Sequence, residues 1–268
     1  DHNRLNEIEG HFADINVNYI HAGDNSLDKV GIFNHIDEFV EGVDDFKNKN
    51  NKSYDLIFAH YWLSGVASLR LKKLWNVPVV TTFHTIQEIK QEAFPFNHDD
   101  PHRESQEKFV SKNSDALVVW SKHEKNFIQS NYDVDPDKIF IIPPGVDLEL
   151  FKPIPKDKAR KQIKIASDLK VILFVGRLER LKGLDTLLEA LSMIEQEKII
   201  LLVVGGLYNI SEVSRLKKIC NELNLSEKVH FIGSINRSDL NLYYNSSDIC
   251  ELPSYYESFG LSALEAAA

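Results

Sequence analysis

Short apolar runs alternate with amphipathic stretches along most of the chain. The runs are rich in Val, Ile, Leu and Phe and have strand length, as in strands buried on both faces of a parallel sheet. Between them, stretches such as residues 185–194 place Leu187, Leu188, Leu191 and Ile194 at helical spacing. This repeated alternation predicts an α/β fold with doubly wound sheets. The predicted strands are residues 15–21, 55–60, 77–83, 116–120, 138–142, 170–175, 198–204, 228–232 and 248–252.

A proline-rich stretch interrupts the alternation once. The sequence Pro-Pro-Gly at 143–145 ends the fifth predicted strand, and Pro153 and Pro155 follow within a short polar segment. Because proline cannot continue a helix or a central strand, this stretch is predicted to be a linker. It divides the chain into two α/β domains, residues 1–149 and 150–268.

Both domains are expected to be incomplete. The first has no opening strand with a glycine-rich turn, and the apolar pattern of the last helix, which begins near Ser258, is still running at Ala268. Ends of this kind leave sheet and helix surface uncovered. We therefore expect the chain to be a piece of a longer protein.

Composition narrows the functional classes. The 43% hydrophobic and 26% charged content is that of an ordinary soluble globular protein. No apolar run reaches the roughly 18 residues of a membrane span, and no signal peptide is evident. The net charge of -9 argues against a nucleic-acid partner, so an anionic ligand would depend on local cations. Cys220 and Cys250 have no metal-ligand spacing, which favours buried free thiols in a reducing compartment, the cytoplasm.

The loop after the first strand of the second domain, residues 176–183, carries two cations. Gly176 lets the backbone turn beside a ligand. Arg177 offers a planar fork of donors and Lys182 a mobile point charge, a pairing that suits a diphosphate. A solvated basic loop that caps the next helix is an equally weighted alternative.

Residues 253–261 follow the last predicted strand and form a second candidate. Residues 259–261 are expected to open a helix whose free amides and dipole favour phosphate. Glu257 precedes this helix, in the loop expected to face a sugar, and Glu265 lies a little over one turn beyond its start. Glu257 by itself could be a helix-capping acid. The eight-residue interval to Glu265, with Phe-Gly between them, makes capping the weaker alternative.

In the first domain, polar and aromatic residues follow two neighbouring strands. The sequence His-Tyr-Trp-Leu-Ser-Gly at 60–65 leads from a strand into a helix, and His84 comes just after the next strand. Two histidines at adjacent strand ends suggest the polar floor of a site, although a single histidine is more often structural. Tyr61 and Trp62 could stack on a sugar or pack in the core with equal weight.

We expect no metal site. Asp133-Val134-Asp135 resembles an Asp-x-Asp metal motif, but the following Pro136 favours an ordinary turn. The His-Asp-Asp-Pro-His sequence at 98–102 could ligate a divalent ion, but its proline disrupts the helix that would place both histidines on one face.

Several of these segments together resemble glycosyltransferase family 4. The resemblance is greatest to the branch with sucrose-phosphate synthases, sucrose synthases and inositol-phosphate glycosyltransferases, and it covers nearly the whole chain. It implies the GT-B fold, in which two Rossmann-like domains face a cleft. The segments that carry it, in chain order, are His60 to Gly65, Phe83-His84-Thr85, Ile142 to Asp147, Gly176-Arg177-Leu178 with Lys182-Gly183, and Glu257 to Gly260 with Glu265.

The resemblance also implies roles for individual residues. Arg177 and Lys182 would bind the donor diphosphate, Glu257 the hydroxyls of the transferred sugar, and Glu265 the ribose. His84 would lie near the reacting centre, and His84, Glu257, Arg177 and Lys182 are the implied catalytic residues. The remaining implied donor-binding residues are Gly176, Ser258, Phe259, Gly260 and Leu261, and the implied acceptor-side residues are His60, Tyr61, Trp62, Ser64 and Gly65.

The activity implied is transfer of a hexosyl group, with its anomeric configuration retained, from a nucleoside-diphosphate sugar, in particular a UDP-sugar. The acceptor would be a hydroxyl of a small molecule such as a sugar phosphate or inositol phosphate, and neither a metal nor another cofactor would be required. The glycine-rich loop of the family would precede Asp1. A nucleotide-sugar epimerase of the same fold and an inactive nucleotide-sugar-binding fragment are the alternatives. A nicotinamide oxidoreductase is disfavoured because Gly-x-Gly-x-x-Gly follows none of the predicted strands.

Overall fold

A computed structural model describes residues 15–27, 29–95, 101–206 and 210–268. The chain forms two compact units. The first consists of Asp1–Ile86, Asp99–Val119 and Lys125–Phe140, and the second of Gln87–His98, Trp120–Glu124 and Ile141–Ala268. Two short segments from the first half of the chain are therefore grouped with the second unit.

Helices and strands alternate as the hydrophobic pattern predicted. As far as Ile141 the chain forms α1 (Lys29–Phe33), α2 (Ile36–Lys49), β1 (Ile57–His60), α3 (Trp62–Trp75), β2 (Val79–Thr82), α4 (Gln87–Ala93), α5 (Arg103–Asn113), β3 (Ala116–Val119), α6 (Lys122–Tyr132), a 3-10 turn (Pro136–Lys138) and β4 (Ile139–Ile141). The later elements are α7 (Lys156–Gln162), β5 (Lys170–Val175), a 3-10 turn (Arg180–Lys182), α8 (Leu184–Ser192), β6 (Ile199–Val204), α9 (Ile210–Glu222), β7 (Val229–Gly233), α10 (Arg237–Ser246), β8 (Ile249–Glu251) and α11 (Leu261–Ala267).

The first unit contains a sheet of four strands in the order β1-β2-β3-β4. β1, β2 and β3 are parallel, with Ile57 opposite Val79 and Val80 opposite Ala116. Val79 and Leu117 are fully buried in this sheet. The carboxyl ends of β1 and β2 lie side by side, since His60 pairs with Thr82.

The prediction of a strand over residues 15–21 is wrong. This segment has no helix or strand, and Ile15 and Tyr19 are exposed. A strand exists only where a neighbouring strand accepts its hydrogen bonds, and within the described ranges β1 pairs with β2 alone. Apolar residues interspersed with asparagines were therefore not sufficient to form a strand here.

The second unit contains a fully parallel sheet in the order β7-β6-β5-β8. Strand order reverses at β5, whose neighbours are the next strand in sequence on one side and the last on the other. Such a reversal point opens a crevice at the carboxyl ends of the two diverging strands, where α/β proteins bind ligands. Apolar cores cover both faces of this sheet, with Phe174 and Leu188 on one and Phe151 and Leu173 on the other.

The stretch predicted to be a linker has irregular backbone. Residues 142–155 contain no helix or strand. The two cysteines are free thiols, as predicted, although only Cys220 is fully buried. Burial raises the pKa of the Cys250 thiol to about 11. Of the helices in the described part of the chain, none is both long enough and apolar enough to cross a membrane.

Candidate active site

Two loops meet at the reversal point of the second sheet, one after β5 and one after β8. The Tyr255 amide donates a hydrogen bond of 2.9 Å to the Leu181 carbonyl. Gly183, at φ 69°, lies so close to the other loop that a Cβ here would sit 1.9 Å from the Pro253 carbonyl oxygen. Only glycine allows this approach and this backbone conformation together. The predicted diphosphate loop and the predicted sugar loop are therefore in direct backbone contact.

Lys182 and Glu257 form an ion pair where these loops meet. The Lys182 ammonium lies 2.6 Å from Glu257 Oε1, and the two side chains are 17% and 29% exposed. The Ser254 hydroxyl donates to the same carboxylate oxygen at 2.8 Å. Two residues separated by 75 positions, each predicted independently as a ligand contact, are thus brought together.

Arg177 lies in the same loop but has a different partner. Its guanidinium is 2.8 Å from Glu179 Oε1, and its side chain is 68% exposed. Gly176 continues the strand ladder by donating to the Val204 carbonyl. Gly205, at φ 124°, packs against Gly176 so closely that a Cβ would lie 2.0 Å from the Gly176 carbonyl oxygen. Arg177 is consequently a solvent-facing cation on a tightly held backbone.

Helix α11 begins three residues later than predicted. Gly260, at φ 81°, is its N-cap residue, and the Gly260 carbonyl accepts from the amides of Ala263 and Leu264. Ser258 precedes the helix and donates to the Tyr256 hydroxyl at 3.3 Å. Phe259 is therefore in the loop, and the amides of Gly260 and Leu261 are at the helix start.

Glu265 is held by two residues of α10 that the sequence interpretation missed. The Tyr244 hydroxyl donates to Glu265 Oε2 at 3.0 Å, and Arg237 Nη2 is 3.3 Å from Oε1. Burial, followed by the charge and hydrogen bond of Glu265, raises the pKa of Tyr244 above its ordinary value. Glu265 and Tyr244 also line a cavity of about 190 Å³, together with Lys152 and Asn241. Helical spacing alone could not have identified Arg237 and Tyr244 as partners of Glu265.

In the first unit, the structure brings the two predicted histidines together. His60 Nδ1 and His84 Nε2 are 2.9 Å apart, so one ring donates and the other accepts. His84 has φ 64°, an uncommon backbone conformation for a residue other than glycine. Burial, and secondarily the charge of His60, lower the pKa of His84. This pair favours a neutral His84 at physiological pH.

A buried ion pair fixes the backbone next to His84. Arg103 Nε is 2.6 Å from Glu107 Oε1, and both side chains are almost completely buried. The Arg103 Nη2 group also donates to the Thr85 carbonyl at 2.7 Å and to the Thr85 hydroxyl at 2.8 Å. Its guanidinium lies 5.1 Å from the centroid of the Tyr61 ring. No role for this pair was predicted from the sequence, although the four-residue spacing of opposite charges on a helix was a usable signal.

The remaining acceptor-side candidates divide between surface and core. Tyr61 (φ 80°) caps α3, and Ser64 is exposed. Trp62 is only 1% exposed, and its ring centroid lies 5.5 Å from that of Phe33. Of the two alternatives for Trp62, stacking on a sugar and packing in the core, the structure shows core packing. Gly65 is also buried, and a Cβ there would lie 2.6 Å from a methyl carbon of Val110. Gly65 thus serves the close packing of α3 on α5.

The structure assigns the Asp-x-Asp sequence to a turn, as predicted. Asp135 caps the 3-10 turn by accepting from the Asp137 amide at 3.0 Å. Within the described residues, no group of three His, Cys, Asp or Glu side chains could hold a metal ion. Most of the other metal candidate, residues 98–102, lies outside the described ranges.

Comparison with known proteins matches two family models to separate parts of the chain. Residues 155–268 match the family model "Glycosyl transferases group 1", and residues 44–150 match "Glycosyltransferase Family 4". A D-inositol 3-phosphate glycosyltransferase of Catenulispora acidiphila is 35% identical over 80% of this chain and 53% of its own length. One from Corynebacterium efficiens is 31% identical over 94% of this chain and 62% of its own length.

A solved structure shows the same fold. Sucrose-phosphate synthase from Thermosynechococcus elongatus superposes with a TM-score of 0.84 at 31% identity, covering 92% of this chain and 62% of that protein. The fold is therefore that of the GT-B glycosyltransferases. Within that class, the chain belongs to glycosyltransferase family 4. It spans between 53% and 62% of the length of these relatives.

Proposed function

We propose that the protein transfers a hexosyl group from a nucleoside-diphosphate sugar, in particular a UDP-sugar, to a hydroxyl of a phosphorylated small molecule. An inositol phosphate or a sugar phosphate is the proposed acceptor class, because the names of the similar proteins refer to D-inositol 3-phosphate and to sucrose phosphate. The observation that carries the proposal is the meeting of Lys182 with the Ser254–Glu257 loop at the reversal point of the second sheet.

The reaction proceeds with retention and needs no side-chain base. The bond between C1 of the sugar and the diphosphate oxygen breaks, and its electron pair stays on the leaving diphosphate. The acceptor oxygen forms the new bond to C1 on the same face, and its proton passes to the departing diphosphate. Negative charge grows on the diphosphate, so fixed cations near it lower the barrier. No metal or other cofactor takes part in this scheme.

The roles follow from the chemistry of each side chain. Lys182 and Arg177 stabilise the diphosphate, because they are cations on a loop whose backbone is held by close glycine contacts. Glu257 accepts hydrogen bonds from hydroxyls of the transferred sugar, and Glu265 from those of the ribose. For His84, which is neutral and hydrogen-bonded to His60, we keep the role that the family resemblance implies.

Thermal unfolding with candidate nucleotides tests the donor site. A ligand present at a hundred times its dissociation constant stabilises the folded chain by about 2.7 kcal/mol. We expect UDP to raise the unfolding temperature more than GDP, ADP or NAD, and Lys182→Ala and Glu265→Ala to reduce that increase. A shift with NAD alone would favour an oxidoreductase. The absence of any shift in a folded chain would contradict the proposed donor site.

Turnover assays test the reaction itself. With UDP-glucose, we expect formation of UDP only when an acceptor such as D-inositol 3-phosphate or a hexose phosphate is added. Lys182→Ala should slow this turnover by about 10²–10³-fold, by analogy with the removal of one donor from an oxyanion hole. Interconversion of the nucleotide sugar without acceptor would favour the epimerase alternative. Nucleotide binding without any turnover would indicate that this chain is a binding fragment.

A further inference from the structure

Two side chains with different proposed ligands are bonded to each other. Lys182 is assigned to the diphosphate and Glu257 to the sugar, yet the two are 2.6 Å apart and form one ion pair. Both are largely shielded from water, so solvent screens this pair less than it screens the exposed pair of Arg177 and Glu179. A diphosphate that takes Lys182 as its partner must therefore compete with Glu257.

The fold builds this ion pair into the site. The loop of Lys182 is tied to the loop of Glu257 by the Tyr255–Leu181 backbone hydrogen bond and by the contact of Gly183 with Pro253. Ser254 donates to the same oxygen of Glu257 that contacts Lys182 and so orients the carboxylate. The pair is thus held by backbone contacts and does not depend on two freely moving surface side chains.

Building on the proposed function, we infer that Glu257 makes the site discriminate between the sugar donor and the nucleoside diphosphate product. With the donor bound, sugar hydroxyls donate to the Glu257 carboxylate and satisfy it while Lys182 turns to the diphosphate. With the product bound, no sugar hydroxyl is present, and the Glu257 carboxylate and the diphosphate both draw on the Lys182 ammonium, whereas Arg177 contacts the diphosphate without an ion pair to Glu257. Glu257 then competes with the product for Lys182.

This competition has a consequence for the order of events. The ion pair opens when a complete donor binds and closes again after the sugar has been transferred. Closure withdraws Lys182 from the diphosphate and favours release of the product. Glu257 therefore acts on specificity for the donor over its product, in addition to contacting the sugar.

Calorimetric titration with UDP and UDP-glucose on the full 268-residue chain tests the inference. Glu257→Gln keeps the shape of the side chain and removes the charge that competes for Lys182. We expect this variant to bind UDP about five-fold more tightly than wild type, the upper range for loss of a partly shielded ion pair. Its preference for UDP-glucose over UDP should fall by at least the same factor. If the unfolding screen selects GDP or ADP, that nucleotide and its glucose conjugate replace these probes.

Glu179→Gln is the matched control, because it removes the same charge from the neighbouring exposed pair. It should leave the affinity for UDP within about two-fold, since exposed pairs contribute little. Equal tightening in both variants would assign the effect to general electrostatics and overturn the inference. The tighter UDP binding caused by Glu257→Gln should also vanish when Lys182 is changed to Met. If the tighter binding persisted without Lys182, it would contradict competition for that residue.

The outcomes separate this inference from the function on which it rests. A folded wild-type chain that binds none of the nucleoside diphosphates would contradict the proposed donor site and the inference together. Wild-type binding that Glu257→Gln leaves unchanged would overturn only the competition between Glu257 and diphosphate. Circular dichroism of each variant ensures that a lost titration signal reflects the site and not unfolding.

Discussion

At the scale of single residues, the proposed donor site depends on a glycine, a residue with no side chain to bind a ligand. Gly183 has a left-handed backbone conformation and leaves no room for a Cβ beside the Pro253 carbonyl. We expect Gly183→Ala to destabilise the chain by about 1–2 kcal/mol from the backbone conformation alone. The steric contact adds to this and separates Lys182 from Glu257. Urea unfolding measures the destabilisation. A smaller increase in unfolding temperature on addition of nucleotide would report the separation of Lys182 from Glu257.

Gly145→Ala is the control for this prediction. Gly145 lies in the linker, and a Cβ added there meets no atom within 4 Å. The same chemical change should therefore alter the free energy of unfolding by less than about 0.5 kcal/mol. A Gly183→Ala chain as stable as Gly145→Ala, with full nucleotide binding, would show that the close loop contact is not required.

The histidine pair gives a prediction about protonation. Burial, then the charge of His60, lower the pKa of His84, so His84 gains a proton only at more acidic pH. His60→Asn removes that charge and retains a hydrogen-bonding group near the position of Nδ1. We expect the pKa of His84 to rise in this variant, as followed by NMR titration of its ring protons. His123→Asn, on the exposed surface of α6, should leave the His84 titration unchanged.

At the scale of elements, a buried arginine fastens α7 to the second sheet. Arg160 donates to the carbonyls of Ser246 and Leu169 and to Asp248 Oδ2 at 2.8 Å. Asp248 also accepts from Lys156 at 2.8 Å and from the Val171 amide at 2.8 Å. These contacts join α7, β5 and the residue preceding β8. They hold together β5 and β8, the two strands whose ends carry the proposed donor loops.

This network predicts a pH dependence. Burial, the largest single influence, acts to raise the pKa of Asp248, but hydrogen bonds from Lys156 and the Val171 amide and the charges of Lys156 and Arg160 outweigh it. The resulting pKa falls from 3.8 to about 2. Because the folded pKa lies below the unfolded one, the stabilisation is complete above pH ~4 and is lost as pH falls through about 2. It amounts to about 2 kcal/mol at pH 7.

We expect Asp248→Asn to lose about this stabilisation at pH 7 and to approach wild type as the pH falls toward 2. Urea unfolding of both chains across this range measures the difference. Asp157→Asn makes the same charge change on the exposed surface of α7 and should change stability by less than about 0.5 kcal/mol. A constant difference between Asp248→Asn and wild type at all pH values would contradict the electrostatic explanation.

At the scale of the whole molecule, each unit has its own sheet and buried strand residues. Leu173 on β5 and Leu117 on β3 are 0% and 1% exposed, so each provides a test of one unit. We expect either residue changed to Ala to cost about 2–5 kcal/mol. Leu173→Ala should lower the unfolding transition that nucleotide raises, and Leu117→Ala should lower the transition that nucleotide does not affect. Differential scanning calorimetry with and without UDP separates the two. This prediction requires each unit to unfold in its own transition. A single transition that both variants lower equally would contradict it.

Pattern alone predicted most of the elements, because burial on both faces of a parallel sheet requires continuous apolar runs. It failed at residues 15–21, where apolar residues are interspersed with asparagines and no strand within the described ranges pairs with the segment. It placed the start of α11 three residues early, since Gly260 adopts a left-handed conformation that no periodicity reveals. Helix and strand ends depend on local backbone geometry more than on hydrophobic spacing.

The sequence by itself determined which residue types could hold a diphosphate and a sugar, and on which loops they lie. Only the tertiary structure decided their partners. Lys182 meets Glu257, Glu265 meets Tyr244, and Arg103 fixes Thr85 beside His84. These contacts join residues far apart in the chain because parallel strands bring their carboxyl ends to one edge of a sheet. Strand order, which hydrophobic spacing does not encode, therefore determines which loops become neighbours.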